Sequence, residues 1–187
     1  MLLAIAAISP VCASAASIPV ADTQDAFVYQ FLGTTTGSSL SGFFPGIIAV
    51  ANSAPHVVNS FVEFGDVGSQ GVSSNDVSSA TLTLTVASGP GFGPGPTPGA
   101  PVIVDLFAAS AAWAPATITW LNQPGPAGLI GQVSDDGSLS TVTFDVTSVV
   151  KQWLDGSLAN NGLILTQDNA GSQSVSFDAL GVAGAPC

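Results

Sequence analysis

Residues 81–86 read Thr-Leu-Thr-Leu-Thr-Val. Leu82, Leu84 and Val86 fall on one side of an extended chain and the three threonines on the other. That period-2 pattern marks a strand with one buried face, and β-branched Thr and Val suit the extended backbone. Working outward, residues 57–64 (VVNSFVEF) alternate in the same way, with Val58, Val62 and Phe64 on one side and Asn59, Phe61 and Glu63 on the other. Residues 25–32 (DAFVYQFL) are aromatic and β-branched and predict the opening strand. Short apolar runs at 47–51, 102–107, 141–146, 162–166 and 174–177 predict further strands. Residues 33–42 read as a Thr/Ser/Gly loop. Residues 88–101 (SGPGFGPGPTPGAP) hold neither a ladder nor a helix, and read as a long exposed connection inside one domain.

One segment departs from this rhythm. Val146, Val149, Val150, Trp153 and Leu154 recur at spacings of three and four, which predicts one helix of two to three turns. Asp145 or Thr147 is placed to cap its start and Gly156 to end it. Lys151 falls on the solvent side, near the C-terminus, where a cation favours the dipole. The expected class is all-β with one short helix.

Composition narrows the function. The 187 residues include one Lys or Arg in total, twelve Asp and Glu, and one His, for a net charge of −11. Nucleic acid is excluded, because phosphate neutralisation needs several cations and Lys151 stands alone. A polybasic membrane contact is excluded for the same reason. Anionic ligands are repelled unless a metal bridges them.

The N-terminus reads MLLAIAAI, then SPVCASAAS. An apolar run followed by Ala13-Ser14-Ala15 resembles a secretory signal with an A-x-A cleavage site, so residues 1–15 are expected to be a leader and 16–24 a linker. The run is too short to span a bilayer, and no membrane span is expected in the mature chain. The competing reading makes residues 2–11 a structural strand. Cys12 and Cys187 lie at opposite ends, and if the N-terminus is retained they form a disulfide candidate.

Several ordered motifs then recur together: Asp25-Ala26-Phe27-Val28-Tyr29, Ser60-Phe61-Val62-Glu63-Phe64, Val104-Asp105-Leu106-Phe107, and Trp113 followed by residues 116–124 (ATITWLNQP). Residues 144–147 (FDVT) continue through Trp153 and Leu154 to residues 160–165 (NNGLIL). In this order they resemble the DNRLRE-type domain of exported microbial proteins, a jelly-roll-like antiparallel β-sandwich grouped with carbohydrate-binding modules. The resemblance covers about residues 25–178, with the domain expected over 25–187. It implies a secreted or cell-surface protein. Three departures stand out. Asn59 replaces a usual Arg, Leu180-Gly181 replaces a usual Glu, and the usual final Pro-x-Leu-x-Val strand is missing before Pro186-Cys187. The last predicts an open sheet edge beside residues 162–166 and 174–177.

No catalytic set emerges. His56 has no G-x-S-x-G partner, one His and two terminal Cys do not make a zinc site, and Glu63 is the only Glu available to a glycosidase pair. The protein is expected not to be an enzyme. Calcium is the one metal expected, with Asp22, Asp25 and Asp168 as candidate ligands; the same residues also read as turn-forming Asp. For sugar stacking, Tyr29 and Trp113 are the aromatics expected to be exposed, while Trp120 and Trp153 read as core. The Phe-rich loop at 42–45 is a further apolar tip.

Two functions follow. One is a non-catalytic, exported module that binds polysaccharide. The other is a structural extracellular protein, a filament or matrix subunit whose copies join by strand addition at the open edge. The expected partners are therefore polysaccharide or other copies of the chain.

Overall fold

The computed structural model describes residues 1–7, 16–65, 67–88 and 91–179. Cys12, Cys187, Leu180 and Gly181 lie outside them, and with them the disulfide candidate. The strands are β1 (Leu2–Ala7), β2 (Ala16–Val20), β3 (Asp22–Tyr29), β4 (Ile47–Ser53), β5 (His56–Phe64), β6 (Val77–Thr85), β7 (Val102–Ala109), β8 (Pro126–Asp135), β9 (Thr141–Asp145), β10 (Leu163–Gln167) and β11 (Gly171–Asp178). Two helices interrupt them, α1 (Gly37–Phe43) and α2 (Thr147–Asp155).

All pairings are antiparallel. One sheet runs β2-β1-β6-β9. The other runs β11-β4-β5-β10-β7-β8, with β3 also paired to β5. The expected all-β sandwich is therefore observed. Leu82 and Leu84 of β6 enter the main core, as their alternation requires, alongside Leu3 and Ile5 of β1 and Phe144 of β9. Val50, Phe64, Leu106, Leu163 and Phe177 of the larger sheet belong to the same cluster. Each such side chain contributes about 1.5–3 kcal/mol on burial.

Helix α2 keeps its expected apolar face and its glycine stop, but its N-cap is Val146, with no side-chain cap, rather than Asp145 or Thr147. Val149, Val150 and Trp153 are buried in the main core. Asp145 Oδ1 accepts from the Thr147 backbone N–H at 2.9 Å and its hydroxyl at 2.6 Å. Gly156 ends the helix at φ 76°, a left-handed turn that glycine adopts without steric cost.

Ser60 creates a fork. β5 pairs with β4 over residues 56–58 and with β10 over residues 60–62. At the divergence the buried Ser60 hydroxyl donates to Ala49 O at 2.6 Å and accepts from Ala49 N–H at 2.9 Å. It replaces the ladder bonds that β4 loses there.

Three expectations need correction. Residues 33–42 are not all loop, because α1 begins at Gly37. The helix count is two among the described residues. The expected open edge is absent at β10, which lies between β5 and β7. At β11 the Pro/Gly tract lies alongside: Ser174 N–H donates to Pro94 O at 2.9 Å, and Val86 bridges to Phe177. β11 is the end strand of its sheet. Residues 2–7, read as part of a leader, form a strand between β2 and β6.

Candidate functional site

At the end of β3 the chain enters a single 3-10 turn, Gln30–Leu32. This turn swings Phe31 out of the sheet, leaving it 62 % exposed. Its ring lies 5.6 Å from the His56 imidazole at 30° and 6.0 Å from Tyr29. Tyr29 and His56 are themselves stacked at 5.8 Å and share a hydrogen bond between the phenol and Nδ1. The result is a platform with an apolar outer ring and a polar imidazole edge. Burial raises the Tyr29 pKa above its ordinary 10.0, so the phenol stays protonated at neutral pH. Leu121, 73 % exposed, packs beside Gly33 just after the turn.

The 116–124 motif supports this corner. Asn122 Oδ1 accepts from Thr119 N–H at 2.6 Å, and its amide donates to Thr117 O at 3.0 Å, closing a tight loop. Gln123 donates to Trp120 O at 3.0 Å and accepts from the Asn59 amide at 2.9 Å. That pins the loop to β5 one residue from Val58, the register partner of Tyr29.

Tyr29 and Trp113 are not exposed as expected. They are 8 % and 9 % accessible. Trp113 packs on Phe61 at 5.5 Å and its indole N–H donates to Asn161 O at 3.0 Å, so it roofs the cluster of Ala26, Val28 and Ile164. Tyr29 is covered by Phe92 at 5.1 Å. The Phe-rich tip divides: Phe43 is exposed while Phe44 packs on Phe92.

The candidate calcium ligands do not converge. Asp22 and Asp25 lie on β3, where Asp22 pairs with Phe64 at the end of β5. Asp168 follows β10 near Asn52, toward the start of β5. No group of three or more His, Cys, Asp or Glu among the described residues is arranged to hold a metal. Asp22 is buried and its pKa is raised, chiefly by desolvation, with the N-terminal amine acting in the opposite direction.

A second surface is an open groove of about 750 Å³ between β8 and α2. Leu129 and Ile130 line one side; Asp145, Ser148, Lys151 and Gln152 line the other. No ring lines it. Lys151, expected on the solvent side, is half-buried on this wall.

The sequence model of carbohydrate-binding module family 96 matches residues 19–184. The chain belongs to this family. No curated protein matches it. In this family 96 module, the matched span covers both the Phe31–His56 platform and the α2 groove. Phe31 was missed in the sequence because it follows a strand whose pattern assigns it inward. The one local signal is Gln30, the first polar residue after the apolar run 26–29.

Proposed function

We propose that the protein is a non-catalytic, exported module that binds a neutral polysaccharide on the platform of Phe31, His56 and Tyr29. The carrying observation is the exposed Phe31 ring stacked beside His56. Aromatic faces bind the apolar C–H face of a sugar ring, while a neighbouring polar edge bonds its hydroxyls. Family 96 membership and the motif resemblance to the DNRLRE-type domain support the ligand class. The net charge of −11 favours a neutral glycan over an anionic one. No catalytic residue is assigned: His56 partners Tyr29, and Glu63 partners Gln24.

Affinity electrophoresis in gels containing neutral polysaccharides, with and without calcium, tests this reading. Retardation that is lost in Phe31→Ala supports it. A wild-type protein that no polysaccharide retards overturns it. Export places the module outside the cell, and intact mass of the secreted protein shows whether cleavage falls after Ala15.

A further inference from the structure

Gly33 closes the turn that carries Phe31, and its backbone has right-handed dihedrals, φ −50° and ψ −26°. Those angles are open to any L-residue, so conformation does not call for glycine. Space does not call for it either. A Cβ on Gly33 would lie 3.5 Å from Gln30 O and 3.8 and 3.9 Å from Leu121 Cγ and Cδ2, all ordinary van der Waals contacts. Alanine at such a position stabilises a fold, because the unfolded chain then has fewer states to lose. The sequence forgoes that stability at a half-buried position beside two exposed apolar side chains.

Those side chains are Phe31, 62 % exposed, and Leu121, 73 % exposed. Leu121 is not a loose tip. It stands between Thr119 and Asn122, whose contacts close the loop: Thr119 N–H and hydroxyl donate to Asn122 Oδ1 at 2.6 and 3.0 Å, and Asn122 N–H donates to Thr119 O at 3.3 Å. Gln123 then ties the loop to Asn59 of β5. A leucine kept in water on a fixed backbone forgoes the gain of burial and is already ordered for a ligand. Phe31 and Gly33 are two residues apart, so their Cα atoms lie within about 7 Å of each other, near the breadth of one sugar residue. The result is an aromatic face and, beside it, a notch with glycine backbone as its floor and Leu121 as its wall.

We propose that this notch makes Gly33 and Leu121 specificity-determining residues. With a sugar ring stacked on Phe31, its exocyclic hydroxymethyl group enters the space that a Cβ at Gly33 would fill, its methylene against Leu121. This rests on the polysaccharide-binding reading above and names its substrate class, a neutral hexopyranose chain rather than a pentopyranose one. A hexopyranose carries one carbon outside its ring and a pentopyranose carries none. One methylene in an apolar pocket discriminates by about 10- to 200-fold, and a notch open to water on one side takes the low end.

The test is calorimetric titration of the full chain with cello-, manno- and laminarihexaose, which are hexose chains, and with xylohexaose, a pentose chain. Wild-type protein is expected to bind at least one hexose chain about tenfold more tightly than xylohexaose. Gly33→Ala raises the thermal midpoint by about 1–3 °C and weakens binding of that hexose chain. Gly33→Leu, which fills the notch further, weakens it at least about tenfold. Leu121→Ala leaves the midpoint within about 2 °C and removes the preference over xylohexaose. Xylohexaose bound by the wild type as tightly as the hexose chains overturns the proposal. So does a lowered midpoint in Gly33→Ala, which would make the glycine structural. Binding that Phe31→Ala abolishes and Gly33→Leu leaves intact removes the notch and keeps the polysaccharide reading. Wild-type protein that binds none of the four chains overturns that reading, and the notch with it.

Discussion

The side-chain amide of Asn59 donates to Gln123 Oε1 across 2.9 Å, joining the middle of β5 to the loop that follows Trp120. Asn59 stands where the resembled domain carries an Arg. A neutral amide needs no counter-ion, and a second amide satisfies it at a half-buried position. Asn59→Ala and Gln123→Ala are each expected to cost about 1 kcal/mol in urea denaturation. Their double variant costs less than the sum, since both remove the same bond. Additive losses would show that the pair does not couple.

Phe31→Ala is expected to leave the thermal midpoint within about 2 °C, because an exposed ring contributes little to folding. It lowers polysaccharide affinity at least about tenfold, the order expected for a lost aromatic contact at a binding centre. Leu129→Ala, in the α2 groove, leaves affinity unchanged. If Leu129→Ala is the variant that loses affinity, the glycan lies in the groove.

The contact between Asp145 and Thr147 at the start of α2 has a pH signature. The Thr147 hydroxyl, and after it the Thr147 backbone N–H, hold the Asp145 pKa below its ordinary 3.8. A carboxylate with a depressed folded pKa stabilises the fold above the unfolded value, and that gain is lost as pH falls through the folded one. Asp145→Ala is therefore expected to cost about 1 kcal/mol at pH 7 through its lost bonds to Thr147, with the difference from wild type shrinking below pH 3.8. Urea melts at pH 7 and pH 2.5 measure it. An equal loss at both values would remove the carboxylate from the explanation.

Two left-handed glycines separate conformational from steric cost. Gly156 and Gly162 have φ of 76° and 80°. A Cβ at Gly156 meets nothing within 4 Å, whereas one at Gly162 would lie 2.4 Å from Val62 O. Gly156→Ala is expected to cost about 1 kcal/mol for the strained backbone alone. Gly162→Ala costs more than about 3 kcal/mol, because β10 must move away from β5. Equal losses would mean that the Gly162 contact relaxes freely.

What was legible in the sequence follows from where each element gets its stability. β6 and α2 each carry one buried face in their own pattern, so period alone reveals them. α1 (GSSLSGF) has one large buried side chain, Leu40. It is held from outside: Gly37 N–H donates to Ile118 O at 2.9 Å and Ser38 N–H to Pro115 O at 2.8 Å, contacts that lie about 80 residues away in the chain. β8 is an edge strand with mostly exposed side chains and two glycines, so it shows no alternation to read. The site was misread for a related reason. Tyr29 and Trp113 belong to strand and loop positions whose covers, Phe92 and Phe61, come from elsewhere in the chain. Asp22 and Asp25 lie together on β3, while Asp168 follows β10 at the other end of the sheet.

β1 gives the sharpest test of the N-terminus. Apolar residues fill this segment without alternation, which makes a strand and a leader look alike. In the structure Leu3 is fully buried and Ile5 nearly so, with Leu3 paired to Leu82 and Ile5 to Ala80. In the 187-residue chain, Leu3→Ala is expected to cost about 2–5 kcal/mol, the range for a large-to-small change in a core. Removing residues 1–15 strips Leu3 and Ile5 from the core and uncovers the edge of β6, so the shortened protein has a lower thermal midpoint and a tendency to pair at that edge. Thermal melts and size exclusion of both chains, each checked by intact mass, read the outcome. If the shortened protein is as stable as the full chain and monomeric, β1 contributes nothing to the fold and the leader reading of residues 1–15 stands.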